Sequence, residues 1–131
     1  MSSFTPGELR FLTGGERRLA RLATLDAGGG PHVTPVGFAY NFALDAIDIG
    51  GDALERTKKF RDVQRDARVA LVVDDVLAPW RPLGVEVRGW AEAIRSPEAL
   101  IRVYAERIVS WGIESQSMGD RHGRSVTREA P

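Results

Sequence analysis

Cysteine is absent from this chain of 131 residues. That absence excludes disulfides, iron–sulfur clusters, cysteine-ligated zinc and thiol nucleophiles. The sequence also lacks a secretory leader and any apolar run of the roughly 18 residues that a membrane-spanning helix needs. We therefore expect a cytoplasmic protein that does not enter a membrane.

The chain has no excess of charge, since its 18 basic residues balance its 18 acidic ones. A general binder of nucleic acids or membrane surfaces needs a basic excess, so neither partner is expected. Apolar residues make up 43% of the chain, which is typical of a globular protein. We expect a single domain at residues 1–114 and a polar C-terminal tail at residues 115–131.

Histidine is scarce, which limits the chemistry that side chains alone could perform. The two histidines, His32 and His122, lie 90 residues apart, and no Gly-x-Ser-x-Gly motif accompanies them. Serine–histidine catalysis therefore has no evident framework, and we expect no metal site. No catalytic side chain can be named from these patterns. An enzyme of this sequence would take its chemistry from a cofactor that the protein orients.

Alternation of apolar and polar residues predicts a mainly β protein. Strands are expected at residues 19–25, 32–40, 46–49, 68–74, 84–93 and 104–113, while residues 99–102 fit either a helical turn or a strand. A helix precedes them, with Thr5 as N-cap and Glu8 completing a capping box. Six strands joined mostly by short turns favour a small closed antiparallel barrel, with a mixed α+β sandwich as the alternative.

A second helix is expected between the third and fourth strands, with Asp52 as its cap. Lys58 lies off the apolar stripe of this helix, so we expect its loss to leave the fold stable. The stripe is predicted from Ala53, Thr57, Phe60, Gln64 and Ala67.

The same helix carries the most suggestive cluster of charge in the sequence. It follows two glycines, and its basic residues are Arg56, Lys58, Lys59 and Arg61. A helix start with free N–H groups and nearby cations can bind a phosphate. The alternative is a solvated face, because Glu55–Lys59 and Lys58–Asp62 are spaced four residues apart and could form ion pairs. The residues alone leave both interpretations open.

Several segments together resemble a known family. They are RLATLDAGGGPHVTPVGFAY, ERTKKFRDV, PWRP, EVRG and VSWG, spread between Phe4 and Glu114. This combination is similar to the split β-barrel flavin and deazaflavin oxidoreductases, and more narrowly to the pyridoxamine-phosphate-oxidase-like class that uses coenzyme F420 in actinobacteria. The resemblance implies a six-stranded antiparallel split β-barrel of the FMN-binding type. It also implies a homodimer with the cofactor at the interface, held by both chains.

The resemblance also implies a set of cofactor-binding residues. These are Thr34, Pro35, Val36 and Gly37 along the tricyclic ring, Gly50 and Gly51 beneath it, Arg56, Thr57, Lys58 and Lys59 at the phosphate, and Trp80 and Arg81 in a loop near the partner chain's site.

The function implied is hydride transfer between F420 and a small organic substrate. FMN is the alternative cofactor, and a non-catalytic carrier of F420 or flavin is the alternative class of function. A true pyridoxamine phosphate oxidase is not expected, because the arginine-containing C-terminal segment that would bind its substrate is missing.

Overall fold

The computed structural model describes residues 2–15, 17–115 and 120–127. Two α-helices and a short 3-10 helix at Leu54–Arg56 accompany the strands of this part of the chain. The helices are α1 (Pro6–Thr13) and α2 (Lys58–Arg65), and the strands are β1 (Ala20–Leu25), β2 (Pro31–Val36), β3 (Ala39–Asn41), β4 (Ala46–Ile49), β5 (Arg68–Leu77), β6 (Arg81–Ile94), β7 (Leu100–Trp111) and β8 (Arg121–Ser125).

The strands form one antiparallel sheet that curls back on itself. Its order is β2-β1-β5-β6-β7-β4-β3, and β8 pairs with the C-terminal part of β7. The two end strands, β2 and β3, are successive in the chain and are joined only by Gly37 and Phe38. That short link holds the two ends of the sheet together. The expectation of a mainly β, antiparallel fold is confirmed, but the described residues form eight strands instead of the expected six.

The strand boundaries differ from the prediction in several places. The strands expected at residues 68–74 and 84–93 are longer, since β5 ends at Leu77 and β6 begins at Arg81. The expected strand at residues 32–40 is divided by its link at Gly37 and Phe38, and the ambiguous residues 99–102 enter β7 at Leu100. Part of the expected polar tail forms β8. Its residues are polar, so backbone pairing with β7, from Arg107↔Ser125 to Trp111↔Arg121, and not an apolar pattern, stabilises this strand.

The first helix is capped as its sequence indicates. The Thr5 side chain accepts a hydrogen bond from the Glu8 backbone N–H, and the Glu8 carboxylate accepts one from the Thr5 backbone N–H. Glu8 is fully buried, where Ser110 and Arg124 also donate to it. Burial raises the pKa of Glu8, but the hydrogen bonds from Arg124, Ser110 and Thr5 outweigh burial and keep the pKa below its ordinary value.

The second helix begins later than predicted. Thr57, not Asp52, is its N-cap, and the Thr57 side chain accepts a hydrogen bond from the Phe60 N–H. Before it, Ala53 takes a left-handed backbone conformation with φ of 49°, so the chain turns instead of continuing one helix. The predicted stripe is right at Phe60 and wrong at Gln64 and Ala67, which are exposed, because the helix buries Asp62 and Val63 beside Phe60.

The core lies inside the curled sheet and is closed by the helices. Its largest fully buried side chains include Phe60 from α2 and Leu22 from β1. Alternate residues of the long strands complete it, as Val85 and Val87 of β6 do. No helix in the described ranges is both long and apolar enough to cross a membrane.

Candidate functional site

The basic residues of α2 face the turn between β1 and β2. Lys58, Arg61 and Arg65 line a depression of about 410 Å³ together with Asp62 and the turn residues 26–28. The turn is held in shape by its own carboxylate, because Asp26 accepts hydrogen bonds from the backbone N–H groups of residues 28 and 30. The cations Lys58, Arg61 and Arg65 of the helix therefore face a loop whose shape is fixed by hydrogen bonds.

A buried carboxylate lies at the centre of this cluster. The side chain of Asp62 is 2% exposed. It accepts hydrogen bonds from the Thr24 hydroxyl at 2.8 Å and from the Lys58 ammonium at 3.1 and 3.2 Å, and Arg65 lies 3.5 Å away. Burial raises the pKa of Asp62, but the hydrogen bonds from Thr24, Lys58 and Arg65 outweigh burial and lower the pKa below its ordinary value.

Lys58 therefore has a structural role that the sequence pattern does not reveal. Its partner Asp62 is fully enclosed by protein, so this is not the ordinary solvated pair of an exposed helix face. The premise of an exposed pair is wrong, and the structure favours a loss of stability when Lys58 is removed, against the expectation from the sequence. The other predicted pair, Glu55–Lys59, is not formed among the described residues, which counts against a helix face neutralised by its own charges.

Three further cations remain available around the depression. Arg61 donates to the backbone carbonyl of Arg56 at 2.8 Å, a contact that leaves its positive charge unbalanced. Neither Arg56 nor Lys59 has an acidic side chain within ion-pair distance in the part of the chain that the structure describes. The N-terminal end of α2, which Thr57 caps, thus has an excess of positive charge suited to an anionic group.

The strand β2 carries the residues predicted to follow the cofactor ring. It pairs with β1 and with no other described strand, so the backbone groups of its second edge are not used by the sheet. Thr34 and Val36 point inward, whereas Pro35 is exposed. Gly37 follows the strand and is open, since no heavy atom outside its neighbours lies within 4 Å of the position of a Cβ.

His32, on the same strand, is a residue whose role the sequence did not suggest. It pairs in register with Thr24, the residue that bonds Asp62. Its Nδ1 atom is buried and has no hydrogen-bond partner in the described structure. A buried nitrogen without a partner beside the basic cluster is a feature that a bound ligand could satisfy.

The remaining predicted residues lie elsewhere in the chain. Gly50 and Gly51 are exposed and connect β4 to the 3-10 helix that precedes the basic cluster. Trp80 and Arg81 lie at the hairpin between β5 and β6, where Trp80 is 62% exposed. Ala70 of β5 pairs with Ala23, the neighbour of Thr24, and β5 runs seven residues, roughly 23 Å, from there to Leu77. Within one chain the hairpin therefore lies far from the Asp62 network of α2.

A second and larger cavity, of about 600 Å³, lies at the link between β2 and β3. Gly37 is the one predicted site residue that lines it. The rest of its lining was not predicted from the sequence, because it combines the end of α1 with residues 17–19 and 38–40.

Comparison with known proteins identifies the family. The family described as pyridoxamine 5'-phosphate oxidase matches residues 8–130. The chain belongs to this family. Its curled antiparallel sheet is the split-barrel fold that the sequence resemblance implied.

A curated relative is similar over almost the whole chain. A 5a,11a-dehydrotetracycline/5a,11a-dehydrooxytetracycline reductase from Streptomyces rimosus is 37% identical over 137 aligned residues, covering 96% of this chain and 95% of the relative. Together with the family match, this similarity supports an oxidoreductase.

Solved structures share the fold at low sequence identity. A heme binding protein from Mycobacterium smegmatis superposes with a TM-score of 0.70 at 14% identity and covers 95% of this chain. This chain spans 60% of the length of that protein. A structure described as an F420 reductase has a TM-score of 0.57 at 21% identity, and the match covers 76% of this chain and 94% of that one.

Proposed function

We propose that the protein is an oxidoreductase that transfers a hydride between the deazaflavin coenzyme F420 and a small organic substrate. The observation that carries this proposal is the excess of cations at the start of α2, next to a strand with a free edge. The reductase relative and the family support the same class of reaction.

The residues present fit a phosphate at α2. Arg61 lines the depression and has no acidic partner among the described residues. Lys58 also lines it, but Asp62 balances part of its charge. Arg56 and Lys59 stand beside them and add two further cations. Charge-assisted hydrogen bonds of this kind are stronger than neutral ones, so the cluster is suited to hold a phosphate firmly.

The ring would lie along β2. From His32, which is level with the Asp62 network, to Gly37 is five residues, or about 16 Å along the strand. That length accommodates a three-ring system and its sugar-alcohol chain. The free edge of β2 offers backbone N–H and C=O groups to the polar rim of such a ring, and the open position at Gly37 leaves room for it.

A second copy of the chain would complete the site. The β5–β6 hairpin exposes the apolar side chains of Val76, Leu77 and Trp80. Exposure of such a patch to water is unfavourable in a monomer and is typical of a protein–protein interface. In a homodimer this hairpin could bring Trp80 and Arg81 to the ring of the other chain. Such an arrangement accounts for the wide separation of these residues from α2 within one chain.

When bound, F420 supplies the hydride. The chain's own contribution is to hold the phosphate at Arg61 and Lys58, to orient the ring along β2 and to exclude water from it. FMN is the alternative cofactor, but its single phosphate requires fewer cations than this cluster offers. A non-catalytic carrier would use the same contacts and would be distinguished by the absence of turnover.

Titration of the purified protein with F420 and with FMN, followed by fluorescence quenching, tests the proposal. We expect F420 to bind more tightly, because its polyanionic tail can use the additional cations. Equal or tighter binding of FMN would contradict the choice of cofactor. Turnover of a panel of conjugated substrates with reduced F420 then separates an enzyme from a carrier.

A further inference from the structure

The cavity between α1 and the β2–β3 link has the properties of a small-molecule site. Its volume of about 600 Å³ falls within the range of about 300–1,000 Å³ that ligand sites usually have. It is lined by the end of α1, by residues 17–19 that precede β1, and by residues 37–40. It is therefore built from rigid elements on two sides.

The apolar part of the lining favours a planar ligand. Phe38 and Tyr40 border the cavity with half-buried rings, whereas the Phe11 ring is buried beneath the Arg18 guanidinium, 4.3 Å from its centroid. Phe11 and Phe38 are packed on the hydrophobic core, and Tyr40 makes an edge contact with Phe4, so these rings are held in place. Fixed aromatic side chains bind flat conjugated molecules well because the rings lose little freedom when the ligand arrives.

The charged part of the lining favours an anion. Two guanidinium groups line the cavity, and none of its described lining residues carries a carboxylate. Arg18 is already engaged, since it bonds Asp75 at 3.2 Å and the Phe11 carbonyl at 3.3 Å. Arg17 is exposed and makes no ion pair or side-chain hydrogen bond with the other described residues. Among the described residues nothing neutralises its positive charge, which can therefore meet a ligand.

We propose that this cavity binds the substrate, that the substrate is a planar conjugated organic anion, and that Arg17 contacts its negatively charged oxygen. The inference rests on the proposed function, because Gly37 both lines the cavity and ends the strand along which the cofactor ring would lie. Because Gly37 has no side chain, this position puts none between the cavity and the proposed ring. Arg17 thereby determines which substrates are accepted.

Equilibrium binding of two matched probes to the cofactor-free protein tests this proposal. Naphthoate is a planar anion, and naphthamide has the same shape without the charge. Calorimetry gives the affinities, and the amide NMR shifts of Gly37, Phe38 and Ala39 locate the bound probe. The variants are Arg17→Gln and, as a matched control, Arg10→Gln, which alters an exposed arginine of α1 outside the cavity lining.

We expect naphthoate to bind more tightly than naphthamide and to shift those three amides. Arg17→Gln should weaken naphthoate about tenfold, as expected for loss of one charge-assisted contact, and leave naphthamide within about twofold. Arg10→Gln should change neither affinity. Equal binding of the two probes, equal effects of the two variants, or shifts confined to α2 would overturn the proposal.

The same data keep this proposal separate from the proposed function. A protein that binds naphthoate as expected but binds neither F420 nor FMN would retain the anion site and refute the proposed function. A protein that binds F420 but does not distinguish naphthoate from naphthamide would do the reverse.

Discussion

The ion pair between Lys58 and Asp62 gives the sharpest test of how α2 is held. Replacing Lys58 with alanine removes the closest cation from a carboxylate that is 2% exposed. Breaking a fully buried pair costs about 3–5 kcal/mol. Lys58 itself is 42% exposed, and Thr24 and Arg65 still contact Asp62, so water and these partners offset part of the loss. We expect Lys58→Ala to lower the free energy of unfolding by about 1–2 kcal/mol at neutral pH.

The expected loss corresponds to a decrease of about 4–8 °C in melting temperature for a chain of this size. Lys59→Ala is the matched control, because Lys59 is the adjacent lysine and has no ion pair among the described residues. That control should melt within about 2 °C of the unaltered protein, as surface substitutions usually do. Thermal unfolding followed by circular dichroism measures both variants.

The pH dependence identifies the mechanism. Asp62 has a folded-state pKa below its ordinary value of 3.8, so its network stabilises the fold fully above that pH. The stabilisation is lost as the pH falls through the lower, folded-state pKa. The difference between Lys58→Ala and the unaltered protein should therefore shrink in acid. A difference that is absent at neutral pH, or that stays constant down to the acid transition, would refute this account of Lys58.

Three further changes have defined outcomes. Arg124→Ala removes the cation beside the fully buried Glu8 and should cost about 2–4 kcal/mol in urea unfolding, with a smaller cost if Glu8→Gln is also present. Gly89→Ala would place a Cβ 1.9 Å from the Tyr104 carbonyl oxygen, so we expect a loss of more than about 2 kcal/mol by the same assay. Light scattering should give about twice the chain mass of 14.4 kDa, and Trp80→Glu should shift the protein towards monomer.

Local patterns in the sequence were sufficient for much of the fold. The alternation of apolar residues indicated the antiparallel strands, and the capping box of Thr5 and Glu8 forms as its spacing indicates. The start of α2 was missed because Asp52 and Thr57 are both good N-cap residues. Only the left-handed turn at Ala53, which has no sequence signal, decides between them.

The remaining differences depend on contacts between distant parts of the chain. Thr24 and Asp62 are 38 residues apart, and their hydrogen bond makes a helix-surface pair into a buried network. Glu8 and Arg124 are 116 residues apart, and their contact ties β8 to the first helix. Spacing along the sequence cannot reveal either pair. The same holds for the larger cavity, whose walls come from three separate segments.

Several predicted site residues remain predictions. The structure brings α2 cations and the turn before β2 around one depression, and the contact of β2 with a cofactor ring stays a prediction. The family resemblance was needed to select Thr34 and Gly37, because nothing in their local pattern distinguishes them from other strand residues. The role expected for Trp80 and Arg81 depends on a second chain, and a single chain cannot supply it.

The central claim is that the free cations of α2 bind the anionic part of F420. Arg61→Gln tests it most directly, because Arg61 has no acidic partner in the described structure and its loss spares the Asp62 network. The measurement is the dissociation constant of F420 for the unaltered protein, for Arg61→Gln and for Arg88→Gln, a control on the outer face of β6. We predict that Arg61→Gln binds F420 about tenfold more weakly and that the control is unchanged. Equal affinities for all three proteins, or no binding of F420 by any of them, would contradict the account.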